Sequence, residues 1–385
     1  MRGKSESGSL MFYAIDVEQR IRVDHPLRPI KVAVDAILQD MGPLFDAAYA
    51  KIGRPSVPPE VLLRAMLLQA IYSVRSEKQL VERMDTDLLF RWFCGMDPAE
   101  VMFDATAFTH NRPRLDAHGI TAAFFDQVVK RAVDAGLTSD EHFSVDGTLI
   151  ESYASIKSFK PIDENNDDDS SRGNGFKSRN AEVDFHGHKR SNRTHRSGTD
   201  PEARLYRKGD GQSAKLSHMG HAMTENRHGL VMAVHVSEAN GKAECAAALT
   251  MLDQLSQRQS VKPRTLGADK GYDSGPWMVE LERQGITPHT AMRRGPVGGT
   301  KGTSALHRKN RRAIAARRRM ADRLSEMGYR LSQRARKKLE ESFGWCKTIG
   351  LLARTRLVGR WKILQQFEVT AAAYNLVRMR KLLAE

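Results

Sequence analysis

His142-Phe143-Ser144-Val145-Asp146-Gly147-Thr148 is the stretch whose reading decides the fold of this chain. Phe143 and Val145 alternate with Ser144 and Asp146, the two-residue period of a strand with one buried face. Asp146 is expected near the end of that strand. Two further acids have comparable surroundings: Asp269 in Leu266-Gly267-Ala268-Asp269-Lys270-Gly271-Tyr272, and Glu340 in Leu339-Glu340-Glu341-Ser342-Phe343-Gly344-Trp345-Cys346-Lys347. Carboxylates are hard oxygen ligands suited to Mg²⁺. Three of them, brought together by a fold, can hold two such ions for phosphodiester chemistry.

Outward from this strand, residues 215–224 and 229–237 read as paired strands turning near Asn226-Arg227-His228. An alanine-rich helix over 242–255, a short apolar strand over 265–269, a helix over 276–283 and a strand over 286–292 follow. Three strands, then alternating helices and strands, predict an α/β fold with a mixed sheet covered on its faces. Ligands gather outside the carboxyl ends of strands in open sheets, where Asp146 and Asp269 are both expected. A polar stretch from about 157 to 212 interrupts the pattern and contains Asp163-Glu164-Asn165-Asn166-Asp167-Asp168-Asp169. It buries too little to offset chain entropy and reads as a mobile insertion.

Upstream, residues 27–136 read as helical, an all-α N-terminal domain over 1–136 ahead of a catalytic domain over 137–385. Pro58-Pro59-Glu60 starts one helix, proline being tolerated in the first turn. Ser76 with Gln79 forms a capping box. Asp87 to Phe93 makes a short helix ending near Gly95, and another opens at Asp104. Short helices with tight turns suit a helix-turn-helix DNA reader or a plain bundle, and the pattern does not separate the two.

The 385 residues carry a net charge of +15. The stretch 286–385 holds 24 Lys/Arg against 6 Asp/Glu, a surplus of 18 that exceeds the net charge of the whole chain. Such concentration attracts a polyanion, DNA or RNA. A basic segment over about 293–330 includes Arg308, Arg311, Arg312, Arg317, Arg318 and Arg319, expected to lie across a phosphate backbone. On a helix over about 332–347, Arg336, Glu340 and Lys347 share a face within roughly 40°, and Glu341 lies about 100° away. A ligand at Glu340 would then be flanked by cations able to grip DNA; taken alone, the spacing favours a surface salt-bridge face. Asp273, a rival to Asp269, sits where it would cap the next helix.

Other chemistries find less support. His186, His188 and His195 lie in the polar stretch with no cysteine near, so ordinary polar contacts are favoured over zinc. His218 and His221 cannot share one face of a strand, and one of them is expected to line the active edge of the sheet. Cys94, Cys245 and Cys346 are odd in number and far apart, as in a reduced cytoplasmic protein. No Gly-Lys-Ser/Thr phosphate loop, Gly-x-Ser-x-Gly elbow, apolar signal core or apolar run of about 20 residues occurs.

These motifs resemble bacterial insertion-sequence transposases of the DDE type, family five, near family four. Asp24-His25-Pro26-Leu27-Arg28, Gly53-Arg54-Pro55-Ser56 and Arg64-Ala65-Met66-Leu67-Leu68-Gln69 resemble the helical N-terminal domain of that family. Residues 143–151, 267–273 and 340–347 resemble its three acidic motifs, with Arg336 as the arginine ahead of the glutamate. The family's tyrosine three positions earlier is replaced by Gln333, and Tyr329 is out of register. The resemblance implies a ribonuclease-H-like core and two Mg²⁺ ions, with Mn²⁺ as a substitute, held by Asp146, Asp269 and Glu340. It also implies terminal inverted repeats and target DNA as partners, a homodimer on DNA, no membrane, and a cytoplasmic, nucleoid-associated location. Two other classes compete at this stage: a nuclease of the same core without strand transfer, and a DNA-binding regulator whose acids are out of use.

Overall fold

The computed structural model describes residues 16–50, 52–53, 55–139, 141–162, 191–207, 213–241, 243–293 and 310–384. Its strands are β1 (His142–Glu151), β2 (Phe159–Pro161), β3 (His195–Ser197), β4 (Arg204–Tyr206), β5 (Lys215–Glu225), β6 (Val231–Glu238), β7 (Thr265–Ala268) and β8 (Thr287–Thr290). The central sheet runs β6-β5-β1-β7-β8, and β4 adds to β5 beyond the end of β6. β5 is antiparallel to both β1 and β6, whereas β1–β7 and β7–β8 are parallel. This is the ribonuclease-H-like order, a mixed sheet as expected.

The β5–β6 hairpin is fixed by Glu225, whose buried carboxylate accepts from the backbone N–H groups of Arg227 and His228 at 2.7 Å and of Leu230 at 3.0 Å. It thereby satisfies turn amides that neither strand can reach. Helices Ala243–Gln259 and Gly275–Arg283 make the crossovers that return the chain to parallel strands.

Every described regular element before β1 is helical. Ser76 Oγ accepts from the Gln79 amide at 3.2 Å, the expected cap, and helix Leu88–Cys94 ends at Gly95 with φ 71°. Helix Pro59–Ile71 buries Leu62, Leu63, Ala65, Met66, Leu67, Leu68 and Ala70, too many for one stripe. It is covered by the C-terminal helix Arg360–Leu382, which also packs on helix Ile120–Asp134 and on β6. Asn375 of that last helix locks onto the edge of β6. Its Oδ1 accepts from Val231 N at 2.9 Å, and its Nδ2 donates to Val231 O at 2.7 Å. Helices give way to sheet between Asp134 and His142, and one hydrophobic cluster runs across that change from Ile21 to Met379.

The stretch expected to be mobile over 157–212 carries regular structure where it is described. β2 pairs β3, β4 pairs β5, and Phe159, Ala203 and Leu216 form a small core there. Residues 163–190 and 208–212, with His186 and His188, lie outside the described residues, as does the extended segment read around Met11 to Ile15. Among the described residues no helix is long and apolar enough to cross a membrane. Burial pushes the thiols of Cys94 and Cys346 up to about 12, so both act as core residues.

One buried acid joins the two halves. Glu368 of the last helix accepts from Thr121 Oγ1 at 2.6 Å, and burial, outweighing that bond, pushes its carboxyl up to about 7. The folded state therefore holds this proton more tightly than the unfolded chain. The stability it contributes is complete below the ordinary carboxyl value of 4.5 and is lost as pH rises through about 7. Glu368→Gln, a mimic of the protonated form, is expected to match the parent protein at pH 5 and to exceed it by about 1–3 kcal/mol at pH 8.5. Urea unfolding at the two pH values measures this; equal differences at both would contradict it.

Candidate active site

Register places the first two acids. β1 and β7 pair in parallel with Ser144 opposite Gly267, and Asp146 and Asp269 each stand two residues further on. They therefore emerge at the same level from neighbouring strands. Asp269 lies just past the carboxyl end of β7, as expected. Asp146 does not lie at the end of its strand: β1 continues to Glu151, with Gly147 to Glu151 paired to β5. The carboxylate is mid-strand, at the height where the neighbour on its other side has stopped.

Both aspartates are oriented by backbone amides that follow them. Asp146 Oδ1 accepts from Gly147 N at 2.8 Å, and Asp269 Oδ1 accepts from Gly271 N at 2.7 Å, capping the short 3-10 turn Lys270–Tyr272. Burial is the main force on Asp146 and pushes its carboxyl up to about 6. The Gly147 amide and Arg336 oppose that shift, and the charges of Asp269 and Glu340 add to it.

The third acid comes from a helix that the sequence reading runs unbroken over 332–347. Here it is divided into Met327–Ala335 and Lys337–Thr348, with Arg336 between them. Leu339, Ser342, Phe343 and Cys346 form the buried stripe of the second piece, which leaves Glu340 exposed at its rim. Lys338 Nζ donates to Asn226 O at 3.0 Å and ties the start of this helix to the β5–β6 turn. Gln333, where the family carries tyrosine, donates its side-chain amide to the carbonyls of Ala268 and His289, joining the first helix to the ends of β7 and β8. The amide thus braces the strand end from which Asp269 departs.

Arg336 faces inward. Its Nη1 lies 2.9 Å from Asp146 Oδ2, and its Nη2 lies 3.8 Å from Glu340 Oε1. The guanidinium expected to hold DNA instead bridges two acids of the site. Glu341 turns away, 3.9 Å from Arg378, as its helical angle predicted. Lys347 is half-buried on the same helix. Among the described residues no three His, Cys, Asp or Glu side chains converge closely enough to hold one ion, and the Arg336 side chain lies between Asp146 and Glu340. The donors nevertheless suit a divalent cation in type: hard oxygens, like charges, and an aspartate whose proton affinity is raised by burial first and by the neighbouring acids second.

Two charged residues at the site were missed. Glu244, in the first turn of helix Ala243–Gln259, is pushed up to about 7 by burial and then by Asp269 and Asp146. Arg293, just past β8, acts on Glu244 in the opposite sense and donates from Nε to Lys270 O at 3.1 Å. Neither belongs to a local motif. Only the topology, which brings the helix after the third sheet strand against the first and fourth, could have found Glu244.

The basic segment divides. Arg308 lies outside the described residues. Arg317 makes a two-pronged pair with Asp273 at 2.9 and 2.8 Å, and Arg319 does the same with Glu282. These two arginines hold helix Arg311–Asp322 to helix Gly275–Arg283 and are not the free phosphate contacts expected. Asp273 in turn does not cap the next helix: its side chain is fully buried and accepts from Arg317 and from the Arg293 amide. Arg311, Arg312 and Arg318 are exposed. His218 is buried against Asp200 at 2.8 Å, whereas His221, across the sheet, lies against Gly147.

The chain belongs to the family described as Transposase DDE domain, whose model matches residues 139–376, and residues 15–114 match the family described as Transposase domain (DUF772). It is thus a transposase of the DDE class. No curated protein matches it in sequence. Similar solved structures include the Mos1 strand transfer complex, at 11% identity over 80% of this chain and 82% of that one with a TM-score of 0.20. The Mos1 mariner paired end complex with Mn matches at 10% identity over 83% and 86% of the two chains, with a TM-score of 0.21.

The two kinds of arginine should respond differently to removal. Arg317→Ala leaves the buried Asp273 carboxylate without its partner and is expected to lower stability by about 3 kcal/mol. Arg318→Ala should leave stability within about 0.5 kcal/mol and make the slope of log affinity for random DNA against log salt about one unit shallower. Chemical denaturation and salt-titrated gel shifts read both. A reversed pattern would show that Arg317 is the DNA contact.

Proposed function

We propose that this chain cleaves the ends of an insertion sequence and joins them to target DNA, with divalent ions, Mg²⁺ or Mn²⁺ in its place, held by Asp146, Asp269 and Glu340. The observation that carries the reading is the shared level of Asp146 and Asp269 on adjacent parallel strands, with Glu340 linked to Asp146 through Arg336. Bound there, the ions would stabilise charge on the scissile phosphate and lower the pKa of the attacking oxygen, water in cleavage and the freed 3′-hydroxyl in strand transfer.

The protein's own groups do the rest. The Gly147 and Gly271 amides hold Asp146 and Asp269 in fixed rotamers, so the donors are positioned before substrate arrives. Arg336 neutralises Asp146 in the resting protein, and is free to turn toward a DNA phosphate once a cation takes over that role. Arg293 presents further positive charge beside Glu244, Lys347 contributes a cation from the helix that carries Glu340, and Arg311, Arg312 and Arg318 hold the backbone at a distance from the chemistry. Two element ends must be brought together, so the working form is a homodimer on DNA that carries terminal inverted repeats. Strand transfer distinguishes this reading from a simple nuclease.

Asp146→Asn, Asp269→Asn and Glu340→Gln are each expected to reduce nicking of labelled end DNA by at least about 100-fold while gel-shift affinity stays within a few-fold, because each removes a charged ligand at constant size. Glu341→Gln, turned toward Arg378, should retain most activity. Near-normal nicking by any one of the first three removes that residue from the site. An inactive Glu341→Gln beside an active Glu340→Gln would assign the helix the wrong face.

A further inference from the structure

The β2–β3 ribbon sets two cations face to face. Lys160 and Arg196 are paired directly across it, and both are exposed. Paired residues of antiparallel strands point to the same side, and like charges opposite one another repel. The ribbon is attached by its other side. There Phe159 is buried with Ala154, Ala203 and Leu216, its ring stacks on His195 at 5.4 Å, and Ser197 Oγ lies 2.7 Å from Ser158 Oγ. Neither Lys160 nor Arg196 takes part in that attachment, so the like-charge pair has no role in folding the ribbon.

Two more cations extend the row. Lys157 precedes Lys160 by three residues and Arg193 precedes Arg196 by three, so antiparallel pairing sets them at opposite ends of the ribbon. Both are exposed, and the side chains of Lys157, Lys160 and Arg193 have no hydrogen-bond or ion-pair partner among the described residues. Arg196 Nε donates to Pro201 O at 3.1 Å and leaves its charge unpaired. The carboxylates nearby are engaged elsewhere: Glu151 with Lys215 and Arg354, Asp200 with His218, and Glu202 with Arg360. Six residue steps at the rise of a strand make this row of unneutralised cations about 20 Å long. A polyanion laid along it would remove the repulsion within it.

The ribbon stands beyond the edge of the sheet at which the acids emerge. β1 passes Asp146 and runs on to Glu151, which is bridged to Arg354, and the ribbon follows. Those five residues of strand span about 17 Å, the rise of about five base pairs. We propose that the outer face of the β2–β3 ribbon, through Lys157, Lys160, Arg193 and Arg196, grips the phosphate backbone of duplex DNA at least about five base pairs from the cleaved phosphate. The contact is to phosphates and carries no sequence preference. It rests on the reading of Asp146 and Asp269 as the place of cleavage. Helix Arg311–Asp322 packs near β8, whereas the ribbon lies by the ends of β1 and β4, so the acids stand between two basic surfaces.

The test compares the full chain with two variants, on a random duplex and on labelled end duplexes, beside thermal melting. Lys160→Glu makes an opposite-charge pair with Arg196, so its melting temperature is expected to stay level or rise while its affinity for DNA falls. Lys160→Ala with Arg196→Ala should make the slope of log affinity against log salt about two units shallower, equally on random and end duplexes. Trimming the duplex to about three base pairs beyond the nick, on one side or the other, should weaken binding by the parent chain and weaken the double variant much less. An unchanged slope with an unchanged response to trimming overturns the inference. So does a loss confined to end duplexes, which would show base reading, or a Lys160→Glu chain that melts lower and binds DNA as the parent does. If the parent nicks no end duplex while the slope still falls in the variants, the cleavage reading fails and the grip of the ribbon stands. If the parent binds no duplex, both fail.

Discussion

Parallel pairing of β1 with β7 is the constraint on which the rest depends. Two residues past the Ser144–Gly267 pair, both strands present an aspartate at one level. A slip of one residue would send one carboxylate to the opposite face of the sheet. The pairing is held from outside as well as by its own ladder. Gln333 braces the ends of β7 and β8, and Glu225 fixes the hairpin that covers the other side of β1. Burial, with a smaller contribution from the neighbouring acids, pushes the Asp146 carboxyl up to about 6. The Arg336 guanidinium opposes that shift from 2.9 Å.

The helical half is not an appendage to this centre. Helix Arg360–Leu382 is buried between helix Pro59–Ile71 on one side and β6 on the other, so the N-terminal helices and the sheet share one core. The strand against which that helix packs, β6, pairs with β5, and β5 carries His221 against Gly147. Polar contacts at that junction, Thr121 with Glu368 and Asn375 with Val231, give the packing a single register.

Much of the sheet was legible because its signals are local. Alternation located β1, and the turn at Asn226-Arg227-His228 located the β5–β6 hairpin. The ends of elements were less so. β1 runs past Asp146 because β5 supplies a partner as far as Glu151, which no pattern within β1 records. The helix break at Arg336 is likewise tertiary, since the residues around it favour a continuous helix. At the site, the three acids with motifs around them were readable and Glu244 was not: its neighbours Asn240, Gly241 and Ala243 mark a helix start and nothing more. Charge counting found the basic segment but could not tell Arg317 and Arg319, spent on Asp273 and Glu282, from the exposed Arg311, Arg312 and Arg318. Pairing partners more than thirty residues away decide that difference.

The central claim is that the fold assembles one acidic centre for divalent cations from β1, the end of β7 and the helix that carries Glu340. Anomalous scattering from crystals grown with Mn²⁺ tests it most directly. The account predicts manganese density between Asp146, Asp269 and Glu340, with the Arg336 guanidinium withdrawn from Asp146. Manganese bound elsewhere, or none at saturating concentration with Arg336 still across Asp146, would contradict it.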